Sequence, residues 1–281
     1  MEDSNNWTKV ISSKQKWFDF ELRELWSYRD LTWIFVRRDI VSIYKQTILG
    51  PLWFLFGPLF TVFTYTFAFN TIANIPTDGI PAPVFYLAGT TLWNYFQACF
   101  NGVSNTFRSN VSVFGKVYFP RLVSPISLVI SNLLKLGIQF ITFLIFCLYY
   151  SFEDSIKMNQ YALLFPFIVL VIGFMSLGLG LIISSFTVKY RDLNQIVGVF
   201  ITLLMYATPI IYPTSSVPEV LKPYLSFNPL SPLIDAFRYA FTSAGSISFN
   251  GLLYSLIFSF CVLFIGVTLF TKTEKDFVDT I

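Results

Sequence analysis

The 281 residues carry 19 Lys and Arg against 16 Asp and Glu, a net charge of +3, yet only 12% of the chain is charged and 54% is apolar. A mean hydropathy of +0.62 lies outside the range of an ordinary soluble domain, and the absence of any histidine removes the commonest acid–base group and the commonest metal ligand. The net charge alone points to no partner, because in a membrane chain the placement of Lys and Arg around the spans matters more than their sum.

Residues 1–20 form a polar N-terminal extension, and no short apolar core precedes a small-residue cleavage site, so no cleaved signal peptide is expected. Residues 21–49 read as an amphipathic interface segment. Leu22, Trp26, Trp33, Val36, Ile40 and Ile43 recur at steps of three, four or seven, while Arg23, Asp30 and Arg37 keep a separate face. This spacing predicts one helix or two lying in the cytoplasmic headgroup layer, the alternative being a helix packed on another part of the chain.

Residues 50–272 read as a six-span transmembrane domain and residues 273–281 as a cytoplasmic tail. The spans are expected at 52–74, 84–106, 126–150, 161–186, 193–212 and 251–271, each near the ~20 apolar residues that cross a ~30 Å hydrocarbon core as helix. With both termini in the cytoplasm, fifteen Lys and Arg fall inside and only Lys157, Lys222 and Arg238 outside, which favours that orientation over its inverse. The expected fold is therefore an all-α integral membrane protein with six transmembrane helices. An N-terminal amphipathic helix precedes them, and short re-entrant helices come before the last span.

The first span, "GPLWFLFGPLFTVFTYTFAF", holds eight aromatic residues and two Gly-Pro steps. Trp53, Phe56, Phe60, Phe63 and Phe67 follow steps of three and four and make one aromatic stripe. Ring faces offer polarizable contact to the C–H side of a sugar without holding its hydroxyls, so the stripe suits a wall along which a glycan slides; packing in a crowded core is the alternative. After the second span, "RSNVSVFGKVYFPR" is a loop whose Val111, Phe114 and Tyr118 share one face of a short helix, an apolar ridge that either meets a partner or rests on the bilayer.

In the third span Ser124, Ser127, Ser131, Lys135, Gln139 and Thr142 form a polar stripe that predicts a bundle-facing side. Lys135 is either a functional intramembrane charge or a side chain that snorkels to the cytoplasmic face. Ser176, Gly180 and Ser184 in the fourth span, with Gly173 and Gly178, predict close helix approach. Between the fifth and sixth spans Pro213, Pro218, Pro223, Pro229 and Pro232 precede "LIDAFRYAFTSA", too short to cross. These pieces are expected to dip into the membrane, with a folded outer cap as the alternative, and Asp235 and Arg238 are spaced to pair on one helix face.

Cys99, Cys147 and Cys261 show no pairing pattern and are read as small hydrophobes. The Gly115-Lys116 pair is followed by Val117, so the phosphate-binding loop GxxxxGK[ST] is missing, and no Ser-His-Asp set or His/Cys metal spacing occurs. Transport is therefore expected rather than catalysis.

The segments "VRRDIVSIYKQTILGPLWFLFGPLF", "GKVYFPRLVSPISLVISNL", "FTVKYRDLNQI" and "YATPIIYPTSSVPEVLKPYLSFNPLSPLIDAFR" resemble the membrane subunit of polysaccharide-exporting ABC transporters, which export O-antigen, capsule or teichoic-acid chains. The resemblance runs over residues 25–276 and all six spans in order. It implies a homodimer joined to two copies of a separate ATP-binding subunit, a polymer path between the membrane subunits, and a glycan on a polyprenyl diphosphate lipid as substrate. It further implies no cofactor on this chain, with ATP and Mg on the partner, no nucleic-acid partner, and a place in the plasma (inner) membrane. Trp26, Trp33, Arg37 and Arg38 of the interface segment and Val111, Phe114 and Tyr118 of the loop then take ATPase-coupling positions. Spans one and five flank the path. Two alternatives are a membrane transferase acting on lipid-linked sugar, which the missing His and scattered acids oppose, and a small-molecule ABC exporter.

Overall fold

The computed structural model describes residues 22–45, 52–110, 114, 119–153, 156–190 and 192–278. The polar extension, Gly50-Pro51, Val111 and Tyr118 lie outside the described residues. Among those described, every regular element is helical. The helices are α1 (Leu22–Ser27), α2 (Arg29–Lys45), α3 (Trp53–Tyr65), α4 (Ala82–Ser104), α5 (Thr106–Ser109), α6 (Val123–Phe152), α7 (Phe165–Thr187), α8 (Leu193–Tyr206), α9 (Lys222–Ser226), α10 (Ser231–Thr242) and α11 (Phe249–Val278). A π-helical stretch, Thr66–Ile72, continues α3, and 3₁₀ turns occupy Gln160–Leu164 and Thr214–Ser216.

Among the described residues four stretches are long and apolar enough to cross a membrane: Trp53–Ile72, Val123–Phe152, Gln160–Thr187 and Phe249–Glu274. The other two expected spans, α4 and α8, depart from that pattern for different reasons. α4 has 23 residues but carries Thr90, Thr91, Asn94 and Asn101. It sits at the centre of the bundle against α3, α6, α7 and α10, so protein rather than lipid meets it nearly all round. Two of its polar groups find partners: Thr90 donates to the Tyr86 carbonyl at 2.7 Å, and Asn94 donates to Gln139 of α6 at 3.4 Å.

The fifth span is shorter than expected. α8 ends at Tyr206 rather than near 212, because Pro209 brings no backbone N–H and disfavours helical geometry at Thr208 before it. The polar stripe on α6 does face the bundle, with Ser124, Ser127, Ser131, Gln139 and Thr142 all buried. The small-residue pattern on α7 also packs as expected. Ser176 and Ser184 are fully buried, and Gly178 lets α7 and α11 approach backbone to backbone.

At the N-terminal end the interface segment is two helices parted at Tyr28, and α2 packs along the first half of α6. The expected single apolar face divides. Phe35 and Val36 are buried, whereas Trp26, Trp33 and Ile34 point outward beside the exposed Arg37 and Arg38. Apolar side chains occupy a wider arc than the spacing of Val36 and Trp33 indicated, so one flank serves the fold and the other stays open. The side chains of Leu22 and Ile43 lie outside the described ones.

Candidate functional site

Among the four long apolar stretches of the described residues, the first span is the least covered. Only 6% of its most apolar stretch is buried, against 61% for the stretch containing α7. Trp53, Phe56, Phe60, Phe63 and Phe67 are all exposed, with Phe63 at 72%. The stripe therefore does not pack in this chain's own core, and that alternative is set aside. On the opposite flank, Val62 is buried and Tyr65 stacks edge-on against Tyr86 of α4 at 5.9 Å, so one side anchors the helix while the ring side is presented. Pro58 lies inside α3 without a backbone donor, and the Thr61 hydroxyl donates to the Gly57 carbonyl at 3.1 Å. Phe67 falls in the π-helical turn, where the wider winding rotates the final residues of the span relative to the rest.

At the α2 end, a second aromatic cluster joins Phe35 of α2, Phe107 of α5, Phe114, Phe119 and Phe270 of α11. Phe107 stacks on Phe270 with centroids 4.5 Å apart, and Phe35 meets Phe119 edge-on at 5.6 Å. The expected exposed ridge is thus corrected at Phe114, which is buried within its own chain. The rings of Phe107 and Phe119 in contact with it compete successfully with any outside surface. Arg121 spans the same junction: its Nη1 donates to the Glu274 backbone carbonyl at 3.1 Å and its guanidinium lies 5.4 Å from the Phe114 ring. Burial lowers the Arg121 pKa below the ordinary guanidinium value, and Glu274 opposes that shift. Chain ends far apart in sequence are tied together here.

Lys135 lies twelve residues into α6, half-buried, with its ammonium 5.5 Å from the Phe54 ring of α3. Asp39 of α2 is within electrostatic reach, which puts the ammonium toward the α2 side of the bundle.

At the opposite end, α10 inserts rather than capping from outside. Phe237 and Phe241 stack with Phe140 and Phe143 of α6 and Phe165 of α7, and Phe143 stands nine residues before the end of α6, about 14 Å deep along the helix. The expected Asp235–Arg238 pair does not form; each side chain has a different partner. Arg238 is 3% exposed, lies 3.6 Å from the Phe85 ring, and donates to the carbonyls of Pro209 and Ile210 (2.8 Å), in the turn left when α8 stops. Asp235 accepts from the Thr214 hydroxyl at 2.6 Å. Gly89 makes room for this arrangement, since a Cβ there would lie 2.9 Å from Arg238 Nη2. Sequence spacing missed the role of Arg238 because its acceptors are backbone carbonyls, which no residue type announces.

Residues 30–242 match the ABC-2 type transporter family. The chain belongs to that family. As an ABC-2 type transporter it is similar to the O-antigen export system permease protein RfbA of Myxococcus xanthus, 26% identical over 264 residues that cover 92% of this chain and 98% of that one. The Klebsiella pneumoniae protein of the same name is 25% identical, covering 89% and 94%. The polysialic acid transport protein KpsM of Escherichia coli is 24% identical, covering 85% and 91%. These relatives are permease and transport proteins rather than transferases, and the chain is a multi-pass membrane permease of an ABC transporter.

Proposed function

We propose that this chain is the transmembrane subunit of an ABC exporter of a lipid-linked polysaccharide in the plasma membrane, working as two copies joined to a separate ATP-binding subunit. The observation that carries the reading is the ring face of the first span, left uncovered by the chain's own helices. Rows of aromatic faces suit a polymer that must slide, because each ring gives polarizable contact to sugar C–H groups and holds none of the hydroxyls. Relatives whose names specify O-antigen export and polysialic acid transport support the same substrate class. ATP and Mg act on the partner, and both termini of this chain face the cytoplasm. A ligand shifts an equilibrium only through different affinity for two states, so nucleotide binding on the partner must reach the spans through this chain's cytoplasmic surface.

That surface is the outward flank of α1 and α2: Trp26, Trp33, Arg37 and Arg38, with Phe114 acting from inside the cluster behind it. Val111 and Tyr118 complete the coupling loop in this reading. Replacing Phe60, Phe63 and Phe67 together by Ala should leave assembly intact and slow export of long chains on the order of ten-fold, taking ~0.5 kcal/mol per lost ring contact. Chain-length distributions of exported glycan from membrane vesicles measure this, and unchanged long-chain export refutes the ring wall.

Trp33→Asp and Phe114→Asp should fail in different ways. The first leaves a folded permease that recovers about ten-fold less ATP-binding partner on affinity purification, as for an exposed Trp anchor. The second buries a charge in the Phe35–Phe270 cluster and loses folded protein altogether. Full partner recovery by Trp33→Asp removes α2 from the coupling surface.

A further inference from the structure

At the end of the bundle opposite α2, segments from five parts of the chain enclose a cavity of about 260 Å³. Asp78 comes from the turn after α3, Thr214 and Ser215 from the 3₁₀ turn after α8, and Asp235 and Arg238 from α10. The turn holding Asp78 is fixed by left-handed backbone at Asp78 (φ 53) and Gly79 (φ 78), conformations that Asp tolerates and Gly favours. Both carboxylates are preset by hydroxyls. The Ser215 hydroxyl reaches the two oxygens of Asp78 at 2.6 and 2.8 Å, and Thr214 donates to Oδ2 of Asp235. Nε of the almost wholly buried Arg238 has no hydrogen-bond partner among the described residues. A built polar site with an unused buried donor is the pattern of a place made for a hydrogen-bonding ligand.

We propose that this cavity binds one neutral sugar unit. Sugar hydroxyls both donate and accept, and here they meet carboxylate acceptors, the Lys222 ammonium at the rim and three small hydroxyls, while Ile80 and Pro213 offer an apolar wall to ring C–H groups. Asp78 and Asp235 are matched by Lys222 and Arg238, so the lining has no net charge and gives an acidic sugar no advantage. The volume falls just under the ~300 Å³ lower end for drug-sized ligands, which fits a single ring rather than an oligosaccharide. Two cationic side chains in the wall disfavour a divalent metal ion as occupant. The assignment rests on the glycan-export reading and adds to it a resting point for one sugar of the polymer at the far mouth.

The test uses the permease with its ATP-binding partner in lipid nanodiscs and saturation-transfer NMR with methyl glucoside, methyl mannoside, N-acetylglucosamine and glucuronate. At least one neutral sugar is expected to receive saturation, with affinity reduced ten-fold or more in Asp235→Asn and in Ala244→Trp, which fills the cavity from its loop without removing a charge. Glucuronate is expected to bind no more tightly than the best neutral sugar. Melting temperature reports on folding, and if Asp235→Asn melts early, Ala244→Trp decides. The inference is overturned if no neutral sugar binds, if both variants bind like the parent, or if glucuronate binds more tightly than every neutral sugar. Vesicles that still export glycan on ATP while showing no such binding sink this site alone; vesicles that export no glycan sink the parent reading.

Discussion

Arg238→Met should yield almost no folded permease. The wild-type guanidinium is buried, stacks 3.6 Å over Phe85 and holds the carbonyls of Pro209 and Ile210, with a longer contact to the Phe85 carbonyl at 3.5 Å. Each hydrogen bond to a charged donor contributes ~1.5–3 kcal/mol, so losing two leaves buried carbonyls unpaired at a cost of about 3–6 kcal/mol. A typical domain is stable by only ~5–15 kcal/mol. Arg238→Lys should not restore the parent, because a single ammonium cannot keep a planar stack on Phe85 and a fork across two carbonyls. Monodisperse yield after detergent extraction, together with melting temperature, measures the effect. A Met variant that melts like the parent would mean the carbonyls are satisfied without Arg238.

Gly178→Leu should drive α7 and α11 apart. A Cβ at Gly178 would sit 2.5 Å from the backbone nitrogen of Leu263 and 2.7 Å from its Cα, and one at Gly266 would run into the Gly178 carbonyl. Backbone cannot rotate away as a side-chain tip can, so the helices must separate and forfeit dispersion contacts along their length. Overpacking by even a few methylenes costs ~1–3 kcal/mol in cores that can adjust, and this contact has less freedom to adjust. Gly178→Ala should give a smaller loss in the same direction. Combining Gly178→Leu with Gly266→Leu should cost less than the sum of the two, because they break the same contact. Gly198→Leu on α8 is the matched control, since nothing lies within 4 Å of that position. Melting curves of the three single Leu variants distinguish the outcomes: equal stability at 178 and 198 would remove the close contact from the account.

The Gly178 contact was legible in the sequence and the Arg238 contact was not, for a physical reason. Small residues at helical spacing encode a close approach directly, since only they permit it, and long apolar runs encode spans by composition. The polar side of α6 was read the same way, as lipid excludes such a stripe from its surface. Arg238 acts on backbone carbonyls whose availability depends on where α8 ends, a tertiary fact. Trp26 and Trp33 showed a related difficulty: periodicity marks apolar positions but does not say which of two neighbouring flanks the bundle will take. Phe114 was read as a partner-facing ridge because the cluster that takes it in, through its contacts with Phe107 and Phe119, is completed by Phe35 and Phe270 from the two ends of the chain. The ring stripe itself was visible in spacing, while its exposure required the fold.

The early stop of α8 has an effect on the membrane itself. Fourteen helical residues are about 21 Å long, roughly 9 Å short of a ~30 Å hydrocarbon layer. Bilayers answer such mismatch by thinning locally, at fractions of a kcal/mol per Å. The turn backbone at Pro209 and Ile210, whose carbonyls Arg238 holds, takes up part of that depth, so the slab beside α8 need thin only by what this turn leaves uncovered. In the export function proposed above, a hydrophilic polymer passing there would have a shorter stretch over which it must be kept from oil.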